Sequence, residues 1–325
     1  MRRRDFIVGL GGMAVAWPDA TGAQQRAPMR RIGVLMPAGT DRQLYIRALR
    51  EGLEALGWID GKNIQIESRW APGEPDGLAA EVASLLALDP EVLVSGGTQA
   101  TAILKEATRK VPIVFVHVAD PVRGGIIQSL AHPEGNITGF AAYESTIASK
   151  WLELLKEIVP RVKRVLVLTG SSPTWRMHVE TLEGVAPSFD VKLTIAHLGT
   201  AAEIETTINA FAGKPDSGII ALPDNLLFEN QDQIATLAAR HGLPDVHGNT
   251  ASRQAGGLLR YSSDWPDLYR RCASYVDKIL KGTKPGELPV QQPVKFQLII
   301  NLKTAAALGL SVPPTLLARA DQVIE

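Results

Sequence analysis

Residues 111–140, VPIVFVHVADPVRGGIIQSLAHPEGNITGF, decide the reading of this chain. From Pro112 to Val118 the run is almost wholly apolar and rich in β-branched residues, as in a strand buried on both faces of a parallel sheet. It stops at Ala119-Asp120-Pro121, which sets a carboxylate just past the strand's carboxyl end. Open α/β sheets bind their ligands in that position. Gly124-Gly125 allows a tight turn, and a short helix is expected over 126–131. Gly135-Asn136-Ile137-Thr138-Gly139 then bounds another short strand that leads out of the unit.

Upstream the same grammar repeats. A strand at 31–36 ends at Pro37-Ala38-Gly39-Thr40, and a helix over 41–56 is capped by Asp41 and closed by Gly57. A strand at 63–70, a helix at 78–88, a strand at 91–95 tipped by Gly97-Thr98-Gln99 and a helix at 100–109 complete a βαβαβαβ order. That order specifies a doubly wound parallel sheet. After a hinge near 139–145 the pattern starts again. Strands are expected at 164–168, 192–197, 217–222 and 244–247, with helices at 146–159, 174–185, 202–212 and 230–241 between and around them. The remainder reads as a strand at 256–261, a long helix at 265–281, a polar crossing segment at 282–292, a strand at 296–300, a helix at 302–308 and a last short helix at 313–319. Two α/β lobes facing a cleft are expected, the N-terminal lobe from 30–139 plus 257–285 and the C-terminal lobe from 140–256 plus 286–325.

The chain has 325 residues, enough for two cores, with 45% hydrophobic and 21% charged residues and a formal net charge of zero. That balance argues against nucleic acid as a partner, since a binder normally carries a basic patch. No apolar run reaches the roughly 18–20 residues that span a bilayer. The first 23 residues read as a twin-arginine-type signal peptide. Arg2-Arg3-Arg4 precedes a short apolar stretch from Phe6 to Trp17, and Thr21-Gly22-Ala23 offers small residues for cleavage after Ala23. Export to the periplasm is the expectation. The single cysteine, Cys272, excludes an intramolecular disulfide and reads as a small buried hydrophobe.

The strand tips carry Ala38, Thr98 and Gln99, Asp120, Ser171 and Ser172, Asp224 and Asn225, and Asn249. Small residues at helix N-termini expose backbone N–H groups that suit a carboxylate, and Thr98 and Ser171 add hydroxyls. Asp224 or Asp120 suits an ammonium group through a charge-assisted hydrogen bond. Such a set facing one cleft would hold an amino acid. Each residue also has an ordinary role: Ser, Thr, Asp and Asn before helices are N-caps, and Asp120 before Pro121 is turn chemistry. Trp175 and Tyr143 are candidates to pack on a ligand, or plain covering residues. His117 reads as a core histidine, and His247, at a tip, as a candidate cleft residue. Nucleotide-loop, nucleophile-elbow and zinc motifs are lacking, so no cofactor, no metal and no catalysis are expected.

The central stretch, together with GLEALGWIDGKNIQIESRWAPGE at 52–74 and the ending from Tyr275 to Glu325, resembles the ABC transporter substrate-binding protein family that includes tryptophan- and tyrosine-type binders. The resemblance implies a type I periplasmic-binding-protein fold, in which two Rossmann-like doubly wound lobes joined by a hinge make three crossovers and close on a ligand. It also implies delivery of an amino acid or similar small solute to an ABC permease and ATPase by a monomeric receptor. Thr98 and Gln99 match the ligand-facing tip after the third strand, Asp120 the DPV motif, and Asp224 with Asn225 the acidic tip of the second lobe. The chain departs from the family between His247 and Gly256, where GNTASRQ replaces an acidic, aromatic stretch, and at Arg260, which replaces a small residue. A sensor component or an enzyme on the same two-lobed fold is the alternative, and for catalysis the pair to check is His247 with Ser171.

Overall fold

The computed structural model describes residues 29–36, 42–70, 75–144, 146–170, 175–249 and 256–325. Residues 1–28, where the signal peptide is expected, and Ala38, Ser171 and Ser172 lie outside the described residues.

The first half builds β1 (Arg30–Met36), α1 (Arg42–Glu54), β2 (Ile64–Trp70), α2 (Pro75–Leu86), β3 (Val92–Gly96), α3 (Thr98–Ala107), β4 (Ile113–Val118) and β5 (Ile137–Ala141). All five strands are parallel, in the order β2-β1-β3-β4-β5. The segment after β4 is a set of turns, not the helix expected at 126–131. The N–H groups of Ile126 and Ile127 both donate to Pro121 O, at 2.8 and 3.0 Å, bonds spanning five and six residues in place of the four of an α-helical turn.

The second half builds α4 (Ile147–Ile158), β6 (Arg164–Thr169), α5 (Trp175–Val185), β7 (Lys192–His197), α6 (Ala201–Phe211), β8 (Ser217–Ala221), α7 (Asn225–Glu229), α8 (Gln231–Arg240) and β9 (Asp245–His247). It continues through β10 (Leu259–Ser263), α9 (Trp265–Leu280), β11 (Phe296–Asn301), α10 (Leu302–Ala307), α11 (Pro314–Leu317) and β12 (Gln322–Ile324). The second sheet runs β12-β11-β10-β9-β8-β6-β7 and is parallel except for the β10–β11 pair.

Both sheets carry helices on both faces, which is why their central strands are buried runs without alternation. In the first lobe one core lies beneath α1 and α9 and another beneath α2 and α3. In the second, one gathers around α4 and Trp151, the other around α6 and α8. Gly52 is what lets α1 reach α9: a Cβ there would stand 2.3 Å from Arg270 O.

Strand pairing corrects the expected division of the chain. β10 joins β9 and β11, so the stretch opening 257–285 belongs to the second sheet, while α9 packs on the first. The first lobe also keeps residues up to Gln291, whose N–H donates to Gly139 O at 3.0 Å. Three segments therefore cross between lobes side by side. Ser263 Oγ donates to Ala142 O at 2.8 Å, Asp264 N–H to Lys295 O at 2.9 Å, and Ala141 N–H to Gln291 O at 2.8 Å. The sequence marks these stretches as strands or links, but a buried parallel strand reads the same in either sheet.

Candidate functional site

In each sheet the order of strands reverses once. The reversal falls between β1 and β3 in the first lobe and between β6 and β8 in the second. A crevice opens outside the carboxyl ends of the strands at such a point. The residues following β3 are Gly97, Thr98 and Gln99, and those following β8 include Asp224 and Asn225, so these sequence candidates stand at the two switch points.

Gly97 takes φ 84° as N-cap of α3, and the next residues present the helix N-terminus. Thr98 is half-buried and its Oγ1 accepts the Ala119 N–H at 3.4 Å, linking the tips of β3 and β4. Gln99 is exposed. Asp224 caps α7, its Oδ1 accepting the Leu226 N–H at 2.9 Å, and Asn225 is exposed beside it. Asp224 rests on the backbone at the end of β6, because a Cβ at Gly170 would come within 2.0 Å of Oδ1. Among the described residues its second oxygen, Oδ2, has no hydrogen-bond partner.

Asp120 is already engaged. Oδ1 accepts the Arg123 N–H at 3.0 Å and Oδ2 lies 3.8 Å from Arg123 Nε. Arg123 in turn holds Glu180 of α5, in the second lobe, at 2.8 Å. Trp175 is half-buried and packs against His197 at the end of β7, ring centroids 4.2 Å apart, with the Arg176 guanidinium 5.6 Å above it. His247 is wholly buried: Nε2 lies 2.7 Å from Asp245 Oδ2, whose Oδ1 accepts the Leu258 N–H at 2.7 Å. This pair fastens β9 to the start of β10 and leaves the ring no access to a cleft.

Tyr143, on the first crossing, is 4% exposed and burial raises its pKa. Its hydroxyl lies 3.4 Å from His117 Nε2, and its ring meets that of His178 edge-on at 5.3 Å. His117 lies against Trp265 with centroids 3.7 Å apart. Burial pushes the pKa of His117 down to about 3 and of His178 down to about 4, so both are neutral imidazoles at pH 7. Sequence reasoning missed this aromatic group because its members lie far apart along the chain and meet only through the crossings.

Arg260, the departure noted in the sequence, is 2% exposed. Nη1 donates to Gln231 Oε1 at 2.9 Å and Asn249 Oδ1 at 3.1 Å, and Nη2 to Gly256 O at 2.7 Å. Burial lowers its pKa, opposed by the charges of Asp245 and Asp232. Arg260 thus braces the tip of β9 against α8, with neutral oxygens as its direct partners.

Two doubly wound lobes joined by three crossings make the two-lobed architecture of the type I periplasmic-binding-protein fold. Residues 31–324 match the family of ABC transporter substrate binding proteins, and the chain belongs to it. That family consists of solute-binding proteins and not of enzymes. A relative named tyrosine-binding protein, from Clostridioides difficile, is 26% identical over 262 residues, 80% of this chain and 75% of that one. Among solved structures, a conserved domain protein from Vibrio cholerae is similar with 29% identity and a TM-score of 0.82, over 91% of this chain and 99% of its own. A domain from Streptococcus pneumonia solved in complex with L-Trp shows 26% identity and a TM-score of 0.82, over the same shares.

Proposed function

We propose that this protein is the periplasmic receptor of an ABC importer and takes an aromatic amino acid between its lobes. On this reading the twin-arginine segment exports it, the ligand shifts a hinge equilibrium toward closure, and the closed monomer presents the solute to a membrane permease and its ATPase. The lobes move as 30–141 with 265–291, and 146–263 with 296–325.

The observation that carries the reading is Asp224, a half-buried carboxylate at a switch point with one oxygen uncommitted among the described residues. It suits an α-ammonium group by a charge-assisted hydrogen bond. The N-terminus of α3, with Thr98 and Gln99, suits the α-carboxylate. The ligands carried by the similar proteins, L-Trp in one structure and tyrosine in one relative's name, agree in class.

Calorimetry of the mature chain against tyrosine, tryptophan, phenylalanine, leucine, small carboxylates and pentoses tests this. Micromolar binding of an aromatic amino acid, about −8 kcal/mol, is expected. Selective binding of a sugar or a simple carboxylate, with no response to any amino acid, overturns it.

A further inference from the structure

The strand β4 does not end as a regular strand. His117 has φ 63°, in the left-handed region, and the register of β4 against β5 shifts between Val116 and Val118. A non-glycine residue there is uncommon and is held only where its surroundings require it, a condition that clusters at ligand clamps. Val116 and Val118 are both wholly buried, whereas His117 between them keeps part of its surface open. The irregularity re-aims one side chain at the carboxyl end of the strand, where the crevice lies.

The ring so placed is not alone. Trp265, first residue of α9, is half-buried and lies 3.7 Å from His117 by centroids with the planes tilted 51°. Its indole Nε1 is enclosed and has no acceptor among the described residues. A buried donor without a partner calls for an explanation, and a guest that brings an oxygen is one. Asp264 caps α9 and is held by Lys295 at 2.8 Å, so Trp265 is fixed from the crossing side. Tyr143 closes the other side of His117 and contacts the second lobe through His178.

We propose that His117 and Trp265 form an aromatic ledge on the first lobe that stacks the planar ring of the ligand, and so set its preference for aromatic over aliphatic side chains. This rests on the amino-acid reading above and adds the residues that choose the side chain. Neither residue belongs to the tips that would hold the α-ammonium and α-carboxylate. Offset or edge-on aromatic pairs contribute beyond their buried area, enough for roughly a three- to tenfold change in affinity per ring removed.

The test compares His117→Asn, His117→Gly and Trp265→Phe with the wild-type chain. Asn and Gly tolerate φ 63°, so these two variants delete the imidazole without straining the backbone. Affinities for tyrosine, tryptophan and phenylalanine are expected to fall roughly three- to tenfold in the His117 variants with the melting temperature held or raised. In Trp265→Phe the ligand-induced change in tryptophan emission is expected to disappear. Wild-type binding of aromatic amino acids with His117 variants equal within twofold and the emission change retained in Trp265→Phe overturns the ledge while leaving the receptor reading intact. Failure of the wild-type chain to bind any aromatic amino acid overturns both.

Discussion

Arg123 and Glu180 meet across the two lobes. The guanidinium on the loop after β4 lies 2.8 Å from the carboxylate on α5, and the same arginine is steadied from behind by Asp120 at 3.8 Å. The Glu180 carboxylate raises the Arg123 pKa, first by a hydrogen bond and then by its charge. Both partners are more than half exposed, so the pair biases lobe position without locking it.

Glu180→Gln removes the charge while keeping the side chain's length. Its expected effect is to widen the ligand-free molecule in small-angle scattering and to weaken ligand binding by no more than about fivefold, the scale of an exposed pair. Raising salt to about 1 M should produce the same widening in the wild-type chain and none in the variant. Identical scattering curves for the two proteins at low salt would show that the pair has no part in setting lobe position.

Asp224→Asn separates the two tasks of this residue. Asparagine is as good an N-cap as aspartate, so α7 and the melting temperature should be unaffected. The loss of a charge-assisted bond to an ammonium should cost about 1.5–3 kcal/mol of binding, measured by calorimetry with the amino acid that binds. If affinity is unchanged, the ammonium lies elsewhere.

His178 makes stability depend on acidity. Its ring is 1% exposed, Nδ1 is enclosed without a partner among the described residues, and burial lowers the pKa to about 4. The unfolded chain therefore takes up a proton below about pH 6.5 that the folded chain refuses until about pH 4. Stability from this group is complete above that window and declines by about 3 kcal/mol as the pH falls through it. His178→Phe, which keeps an aromatic ring against Tyr143 and Trp151, should flatten the decline in urea titrations between pH 7 and 4. An unchanged slope would assign the acid sensitivity to other groups.

Gly52→Ala should be costly for a reason unrelated to helix propensity, which favours alanine. The added methyl would stand 2.3 Å from Arg270 O and 2.8 Å from the Ala273 Cβ, so α1 and α9 must separate. A loss of roughly 1–3 kcal/mol in chemical denaturation is expected. A variant at least as stable as the wild-type chain would mean that the two helices have room to shift.

Much of this molecule is legible in its sequence. The strands β1, β3, β4, β6 and β8 are dense apolar, β-branched runs too short for a helix, with polar or small residues at their tips, the pattern of strands buried on both faces. Thr98, Gln99, Asp224 and Asn225 are found at the switch points because tip position follows from strand order. What the sequence hides is relation across distance. Nothing in the residues around His117 tells of the bulge that turns its ring toward Trp265, and a buried strand such as β10 carries no mark of which sheet it joins. His247 has the polarity of a cleft residue, yet Asp245, two positions earlier, claims it, a pairing that requires both side chains on one side of β9. Arg260 stands in the sequence only as a departure from the family's small residue, and the structure makes it a brace, because Gln231, Asn249 and Gly256 reach it from three segments.

The crossings described above also have a consequence for the order in which the protein is made. The first lobe's core beneath β1, β3 and β4 is roofed by α1 and by α9, yet α9 is encoded after nearly the whole of the second lobe. During synthesis Val34, Leu49, Val94 and Val116 have only the α1 half of that roof, and the α9 half is missing until residues beyond 280 have left the ribosome. The N-terminal lobe, first to be translated, is thus among the last parts to finish folding. A chain cut before Trp265 should expose that face and aggregate, and a holding factor that masks it would be needed for longest in the middle of translation.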